Sequence, residues 1–477
     1  MAAGLPLPSM ASQPRRPRHP NVLLIITDQQ RTDTLGYRRL TPCRTPNLDH
    51  LAAEGASFDR CLTPTPICLP ARTALFTSQY GHQTETVRNT DTLTAEPILL
   101  TRLKANGYQV DYAGKWGMGK SIPSGWVDRA EANDTAEYSR WCAEQGLEDG
   151  WAFNDPKMHS RREDVSSPAT AVSSLKPEQT NEAWTVDHAI KLLNTRDRNR
   201  PFFLTCAFQG PHPPFKIPEP YYSMYDPASI PEPKNFGPTP GEPAALSRSF
   251  YRTVWRDHGT SWGAWRKSVA VYWGFVTMID AQIGRLVERL RSEGILDETL
   301  VVMTADHGEL MGSHGLWMKY QAYEESLRVP LIIRAPWLFK PGLRTRTPSS
   351  LIDIAPTVLA ACGVASPAAV QGVDLFSSTR SGGPRLLFSE FTPKADWHGV
   401  VDWRLVTDDH YKYVWNQGDI DECYDLSVDP YELTNLARTT AKKAVLRRLQ
   451  GELRDWMRRT RDPLLADFQR SLANAAA

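Results

Sequence analysis

The 477-residue chain is poor in cysteine, lacks a long apolar run and carries almost no net charge. Its seven cysteines, at positions 43, 61, 68, 142, 206, 362 and 423, are odd in number and form no CxxC pair. That argues against a disulfide framework and for a reducing compartment, with the cytoplasm as the default. No apolar stretch approaches the ~18 residues of a membrane span. The longest, Val22 to Ile26, reads instead as a buried strand. Residues 1–20 contain Arg15, Arg16 and Arg18 with no apolar segment behind them, so they read as a disordered leader rather than a secretory signal. Lys+Arg 55 against Asp+Glu 54 leaves a charge of +1, which removes the electrostatic case for nucleic acid or an anionic membrane as partner. Arg447, Arg448, Arg454, Arg458 and Arg459 cluster, but on a helix they read as one solvated face.

With 41% apolar residues the chain can bury a sizeable core. Asn21–Thr27 is an uninterrupted apolar run that ends in Asp28-Gln29-Gln30-Arg31, the look of a buried parallel strand. Thr45 and Pro46 open a helix that Gly55 stops, and a second helix runs from about Pro97 to Asn106. Helix and strand then alternate. Strands are expected at Tyr108–Ala113, Pro201–Phe208, Thr299–Thr304 and Val329–Arg334, with helices at Glu182–Leu193 and Val269–Glu293. This rhythm predicts an α/β fold, a mainly parallel sheet between helices, over residues 21–384. From about residue 385 short strands and one closing helix predict a smaller α+β domain over 385–477, the helix bearing a stripe of Val445, Leu446, Leu449, Leu453, Trp456 and Met457. Two stretches, about 120–180 and 213–265, resist regular structure and read as insertions, the first with tryptophans at 126, 141 and 151.

Gly114 to Ser121 fits the phosphate-loop pattern GxxxxGK[ST], yet Ile122-Pro123-Ser124-Gly125 follows, which cannot open the helix such a loop needs. The stronger chemistry lies at strand ends. Asp28 follows the first strand and Asp306-His307 follows Thr299–Thr304, the edge at which open α/β sheets bind ligands. Two carboxylates and an imidazole there suit Ca²⁺, Mg²⁺ or Mn²⁺, although each Asp taken alone could simply cap a helix. Cys68 stands just before Pro70 in the first turn of a helix, where the field lowers a thiol's pKa and favours anions, and Arg72 lies one turn on. A buried structural cysteine is the competing reading. His50 and His188 read as surface or satisfied histidines, and nothing selects His258.

Taken in order, these blocks resemble the sulfatase family of the alkaline phosphatase superfamily over nearly all of residues 20–460. Cys68-x-Pro70-x-Arg72 is similar to the family's maturation signature. Asp28 to Arg31, Thr45 to Leu48, Gly114-Lys115-Trp116, Pro211 to Phe215, Asp306 to Glu309, His314 to Lys319 and the tail around Tyr424-Asp425-Leu426, Asp429-Pro430 and Asn435-Leu436 are similar to further blocks.

The resemblance implies a sulfuric ester hydrolase in which Cys68 is oxidised to formylglycine (3-oxoalanine) by a formylglycine-generating enzyme, and the hydrated aldehyde attacks sulfur. It implies Asp28, Gln29, Asp306 and His307, with residue 68, as ligands of one divalent cation, Ca²⁺ or alternatively Mn²⁺. Lys115, His212 and Lys319 match residues that hold sulfate oxygens or protonate the leaving group, Arg72 would stabilise the formylglycine, and Asn89 would add a polar contact. The substrate would be a small sulfate ester, aryl or carbohydrate; association between copies is left open. Two departures stand out. Gln29 replaces an aspartate common in the family, and Gly117 occupies the place of the histidine in its Gly-Lys-Trp-His block, which leaves three readings: His212 or His314 takes over, the chemistry differs, or the chain is a catalytically impaired homologue. The related phosphonate monoester hydrolases share the Gln after the first Asp, which makes a phosphonate or phosphodiester the alternative substrate.

Overall fold

In the computed structural model of the protein, the described residues are 16–133, 135–148, 170–393, 400–408, 410–439 and 442–476. The Asn21–Thr27 strand lies inside an eight-stranded sheet, hydrogen-bonded in parallel to Phe202–Ala207 on one side and to Thr299–Ala305 on the other. Gln109–Gly114 and Arg129–Glu131 extend the parallel set beyond Phe202–Ala207.

Both faces of this sheet are covered, and the period of two decides which layer each side chain feeds. Leu23 and Ile25 join one core with Leu204, Val301 and the long Trp262–Ser292 helix. Val22, Leu24 and Ile26 join the other, with the helices Cys68–Thr77, Ile98–Ala105 and Ile354–Ala361. All five of these strand residues are fully buried. At about 1.5–3 kcal/mol per large buried side chain, this strand anchors the positions of the residues that follow it.

The expected strand over Val329–Arg334 is split. Pro330 has no N–H to donate, so Arg328–Val329 pairs into a small three-stranded sheet while Leu331–Arg334 joins the main one. Leu331–Arg334 runs antiparallel to both its neighbours, which makes the large sheet mixed at this end. The long helix begins at Trp262, seven residues earlier than its apolar run suggests, because Trp265 already lies on the buried stripe of Val269, Tyr272 and Trp273.

The expected C-terminal strands form a four-stranded antiparallel sheet of Leu387–Phe391, Trp403–Thr407, Tyr411–Asn416 and Glu422–Asp425. Leu387, Leu405 and Val414 point into the core of the large sheet, whereas Phe388, Val406 and Tyr413 face the Lys443–Thr460 helix through Leu449, Leu453, Trp456 and Met457. A second terminal helix, Leu465–Ala476, adds Phe468 to that layer after Pro463 breaks the first. Arg447, Arg448, Arg458 and Arg459 are exposed, as a solvated face requires, and Arg454 is half-buried.

The two insertions contain more structure than their sequences promise. Thr135–Glu144 and Phe250–His258 are helices, and Thr170–Val172 pairs with Phe215–Ile217. Trp126 packs near Trp116 and Trp141 on Tyr138, whereas Trp151 lies outside the described residues. Most of the expected leader also lies outside them, but Arg16 donates to the carbonyls of Ala360 and Ala361. All seven cysteines are buried thiols. Among the described residues no helix is long and apolar enough to cross a membrane.

Candidate active site

Asp28, Cys68, Asp306 and His307 converge, each fully or almost fully buried, with their donor atoms within 4.8 Å of one another. Asp28 and Asp306 arrive from the carboxyl ends of adjacent parallel strands. Gln29 follows Asp28 in a left-handed conformation, φ 64°, which turns its backbone N–H onto Oδ1 of Asp306 at 3.1 Å. His307 donates its own N–H to the same oxygen at 2.9 Å.

Cys68 enters from the opposite side as the first residue of the Cys68–Thr77 helix, behind an extended Ile67. Pro70 costs this helix nothing, because first-turn amides have no intrahelical partner. The free Leu69 amide donates to Oδ1 of Asn89 at 3.0 Å. Asn89 therefore holds the helix start, and that contact is to backbone rather than to the cluster.

Cys68 Sγ lies 3.2 Å from His307 Nε2 and 3.7 Å from Asp28 Oδ1. Burial and Asp28 both push this thiol up, yet Lys319, Lys115 and His307 outweigh them and its pKa falls below the ordinary thiol value. Burial alone pushes Cys206 up to about 12. The same sequence letter thus has opposite chemistry at the two sites.

Arg72 is wholly buried beneath the cluster, with Nε 2.9 Å from Asp306 Oδ2 and Nη2 3.4 Å from Asp28 Oδ2. Its Nη1 also donates to the Lys115 carbonyl at 3.1 Å. Lys115 places Nζ 2.5 Å from Asp28 Oδ2. Burial would raise Asp28, but Lys115, His212, His307 and Arg72 together hold it well below the usual carboxylate range. Residues 115–121 contain no helix, so the phosphate-loop pattern is a chance match. A Cβ on Gly117, at φ 64°, would stand 3.0 Å from Arg72 Cδ.

The donor set fits a divalent cation. Nδ1 of His307 lies 3.0 Å from the Gly308 carbonyl, which fixes Nδ1 as the donor and leaves Nε2 toward Asp28 at 3.8 Å and Asp306 at 3.6 Å. Burial lowers the His307 pKa, but Asp306 and Cys68 together outweigh it, so the cluster attracts a proton to the spot a cation would take. Gln29 turns its amide toward Lys319 and Glu309. Glu309 is the site residue that sequence reasoning missed. It closes the block Asp306-His307-Gly308-Glu309, and a carboxylate inside so dense a block was the available signal.

His212 is half-buried and close enough to Asp28, Lys115 and Lys319 to interact electrostatically with them. Burial, Lys319 and Lys115 hold it neutral, with a pKa well below the ordinary value. Its Nδ1 donates to the Pro213 carbonyl at 2.6 Å. His314, the other proposed stand-in for the missing histidine, belongs elsewhere. Thr239 engages its Nδ1 at 2.7 Å, Asn235 its Nε2 at 3.1 Å, and Tyr323 stacks on the ring at 3.7 Å. Burial, Lys412 and Arg252 push its pKa down to about 3, and neither ring nitrogen is left free for substrate. His50 pairs with Glu54 and His188 with the Trp184 carbonyl, as satisfied histidines should.

A cavity of about 480 Å³ is bordered by Arg31, Tyr272, Trp262, Trp273 and Tyr431. None of Asp28, Cys68, Asp306 and His307 lines it.

A mostly parallel sheet between helices, with this cluster at its carboxyl edge and a smaller antiparallel sheet beside it, defines a hydrolase of the alkaline phosphatase superfamily. The chain belongs to the sulfatase family, whose model, described as Sulfatase, matches residues 20–364. A second model, N-sulphoglucosamine sulphohydrolase, C-terminal, matches residues 312–459. The chain is 29% identical over 502 residues to the multifunctional alkaline phosphatase superfamily protein PehA of Trinickia caryophylli, covering 94% of this chain and 98% of that protein. It is 28% identical over 468 residues to an arylsulfatase of Clostridium perfringens, covering 89% and 91%. The solved phosphonate monoester hydrolase SpPMH of Silicibacter pomeroyi superimposes with a TM-score of 0.77 at 25% identity, covering 94% of this chain and 96% of that one.

Proposed function

We propose that this chain hydrolyses a sulfate monoester, with a formylglycine derived from Cys68 and one divalent cation held by Asp28, Asp306, His307 and residue 68, and by Gln29 through the Oε1 that here accepts from Lys319. The observation that carries this reading is the buried convergence of Cys68 with two carboxylates and the Nε2 face of His307. When present, the formylglycine supplies the nucleophile and the cation supplies Lewis acidity, with Ca²⁺ preferred and Mn²⁺ the alternative. The oxygen-rich donor set supports both ions.

The chain's own residues do the rest. Lys115 and Lys319 bind and orient the ester oxygens and hold positive charge where negative charge develops. Arg72, immobilised by Asp28, Asp306 and the Lys115 carbonyl, keeps the two carboxylates fixed and faces the modified residue. His212, neutral and with Nδ1 spent on Pro213, offers the lone pair of Nε2 to a proton, the task that a histidine at position 117 would otherwise perform. Asn89 keeps the helix that carries residue 68 in register. Burial of the cluster excludes water and strengthens each of these interactions.

A phosphonate monoester or phosphodiester is the second reading. The neutral amide of Gln29 and the likeness to a phosphonate monoester hydrolase favour it. The seven buried thiols support a cytoplasmic, reducing setting. The deciding experiment is side-by-side turnover of an aryl sulfate and an aryl phosphonate by protein co-expressed with a formylglycine-generating enzyme, with Cys68→Ala as control. Faster sulfate cleavage that disappears in the variant is expected. Faster phosphonate cleavage selects the second reading, and turnover that survives Cys68→Ala overturns both.

A further inference from the structure

Glu309 is fully buried and carries no part of the function proposed above. Its Oε1 accepts two backbone amides, Met311 N at 2.9 Å and Met318 N at 2.8 Å. Its Oε2 accepts from Nε2 of Gln29, whose Oε1 in turn accepts from Nζ of Lys319. The Gln29 amide is therefore sandwiched between Glu309, which accepts at this oxygen when ionised although burial pushes its pKa up to about 7, and an ammonium, which only donates. Only one of its two orientations satisfies both. The flipped amide would point oxygen at carboxylate and NH₂ at ammonium.

From this geometry we propose that Glu309 is a positioning residue: it fixes the orientation of the Gln29 amide and thereby the direction in which the Lys319 ammonium is presented. The inference rests on the reading above only in taking Gln29 and Lys319 as parts of the site. It also explains why position 29 carries an amide. An acid there would set two buried carboxylates face to face, a costly arrangement without a proton or cation between them. The Gln29 backbone is held at φ 64° and its N–H is tied to Asp306, so the side chain cannot retreat by rotating the main chain.

The relationship has a reciprocal form. Because one oxygen of Glu309 takes both backbone amides, a glutamine at 309 could keep them with its Oε1 and turn its NH₂ toward residue 29. A glutamate at 29 would accept that NH₂ with one oxygen and Lys319 with the other. Glu309→Gln alone, however, opposes NH₂ to NH₂, and Gln29→Glu alone opposes carboxylate to carboxylate. Each single exchange should disrupt the site, and the double exchange should restore it.

The test is a double-mutant cycle on the matured full-length enzyme with Glu309→Gln, Gln29→Glu and the pair together. Three quantities are read: kcat and KM for whichever ester the enzyme cleaves, the affinity for inorganic sulfate by calorimetry, and Tm. Each single variant is expected to lose about 30-fold in kcat/KM and in sulfate affinity, and the pair to return within about 3-fold of the parent. A role of Glu309 as a mere buried anion predicts no recovery in the pair. The proposal is overturned if Glu309→Gln alone matches the parent, if the two losses add in the pair, or if the pair does not fold. Singles that fail to fold beside a folded pair support it. If the parent cleaves no ester, the functional reading fails, while sulfate affinity and Tm still decide the cycle.

Discussion

Sγ of Cys68 and Nε2 of His307 lie 3.2 Å apart, close enough that the thiol and the imidazole share one donor cluster with Asp28 and Asp306. A cation bound to that cluster stabilises the native state alone. At a free concentration of 100 times Kd the gain is about 2.7 kcal/mol. Stripping the protein with a chelator should lower Tm by several degrees, and Ca²⁺ or Mn²⁺ should restore it. The same titration on His307→Ala should show little response. An unchanged Tm in the parent would count against the cation site.

Gly117 is expected to be required rather than tolerated. A Cβ there would meet Arg72 at 3.0 Å, and Arg72 is pinned by Asp28, Asp306 and the Lys115 carbonyl, so the neighbour cannot yield. The left-handed backbone adds about 1–2 kcal/mol for any residue with a Cβ. Gly117→His should therefore lower kcat/KM, by about 10-fold or more if even 1.4 kcal/mol of the strain reaches the site. Gly117→Ala should already show most of the loss. A gain in activity on introducing histidine would refute this account.

Lys115 is the strongest charge acting to keep Asp28 ionised against its burial. Removing it in Lys115→Met takes away a cation, so the carboxyl becomes harder to ionise and its pKa rises. The acidic limb of the kcat/KM profile should move to higher pH, and KM should rise as an ester-binding cation is lost. A variant whose acidic limb stays in place would separate Lys115 from Asp28.

A second buried polar group ties the Gly81–Thr84 helix and the segment after the Lys443–Thr460 helix to the small antiparallel sheet. His82 Nδ1 lies 2.6 Å from Glu390 Oε2, and Arg404 bridges Glu390 at 3.6 Å and Asp462 at 2.5 Å. Burial lowers the His82 pKa, but Glu390 outweighs it and the net shift is upward. Its contribution is therefore complete below the unfolded value of about 6.5 and is lost as pH rises through the folded value. Glu390, held down to about 2 against its burial by His82 and Arg404, contributes above its unfolded value and fails only in strong acid. The stability deficit of His82→Asn should be widest near pH 5.5–6.5, where it reaches about 3 kcal/mol, and should narrow toward alkaline pH. A deficit that does not vary with pH would mean the ring acts only through packing on Trp456.

Much of the fold was legible because its signals are local. The Val22–Ile26 run, the Gly stops after the helices and the stripe of Leu449, Leu453 and Trp456 each act over a few residues. Asp28 and Asp306 were legible as strand-end residues, and the structure brings both to Cys68. What stayed hidden depends on partners distant in sequence. Leu331–Arg334 gives no sign that it runs antiparallel, since a buried strand reads the same in either direction. His314 sits beside a motif lysine, but its nitrogens go to Thr239 and Asn235 in an insertion whose path the sequence does not show. Glu309 is recognisable only once Met311, Met318 and Gln29 are seen around it.

The small antiparallel sheet has two dry faces. Leu405 and Val414 belong to the core of the large sheet, and Val406 and Tyr413 to the layer under the terminal helices. A layer shared in this way leaves no plane along which the two halves can come apart without exposing one of these faces to water. Heat should consequently melt catalytic core and tail in a single cooperative step, and loss of the Lys443–Thr460 helix would be felt at Cys68 as well as at the end of the chain.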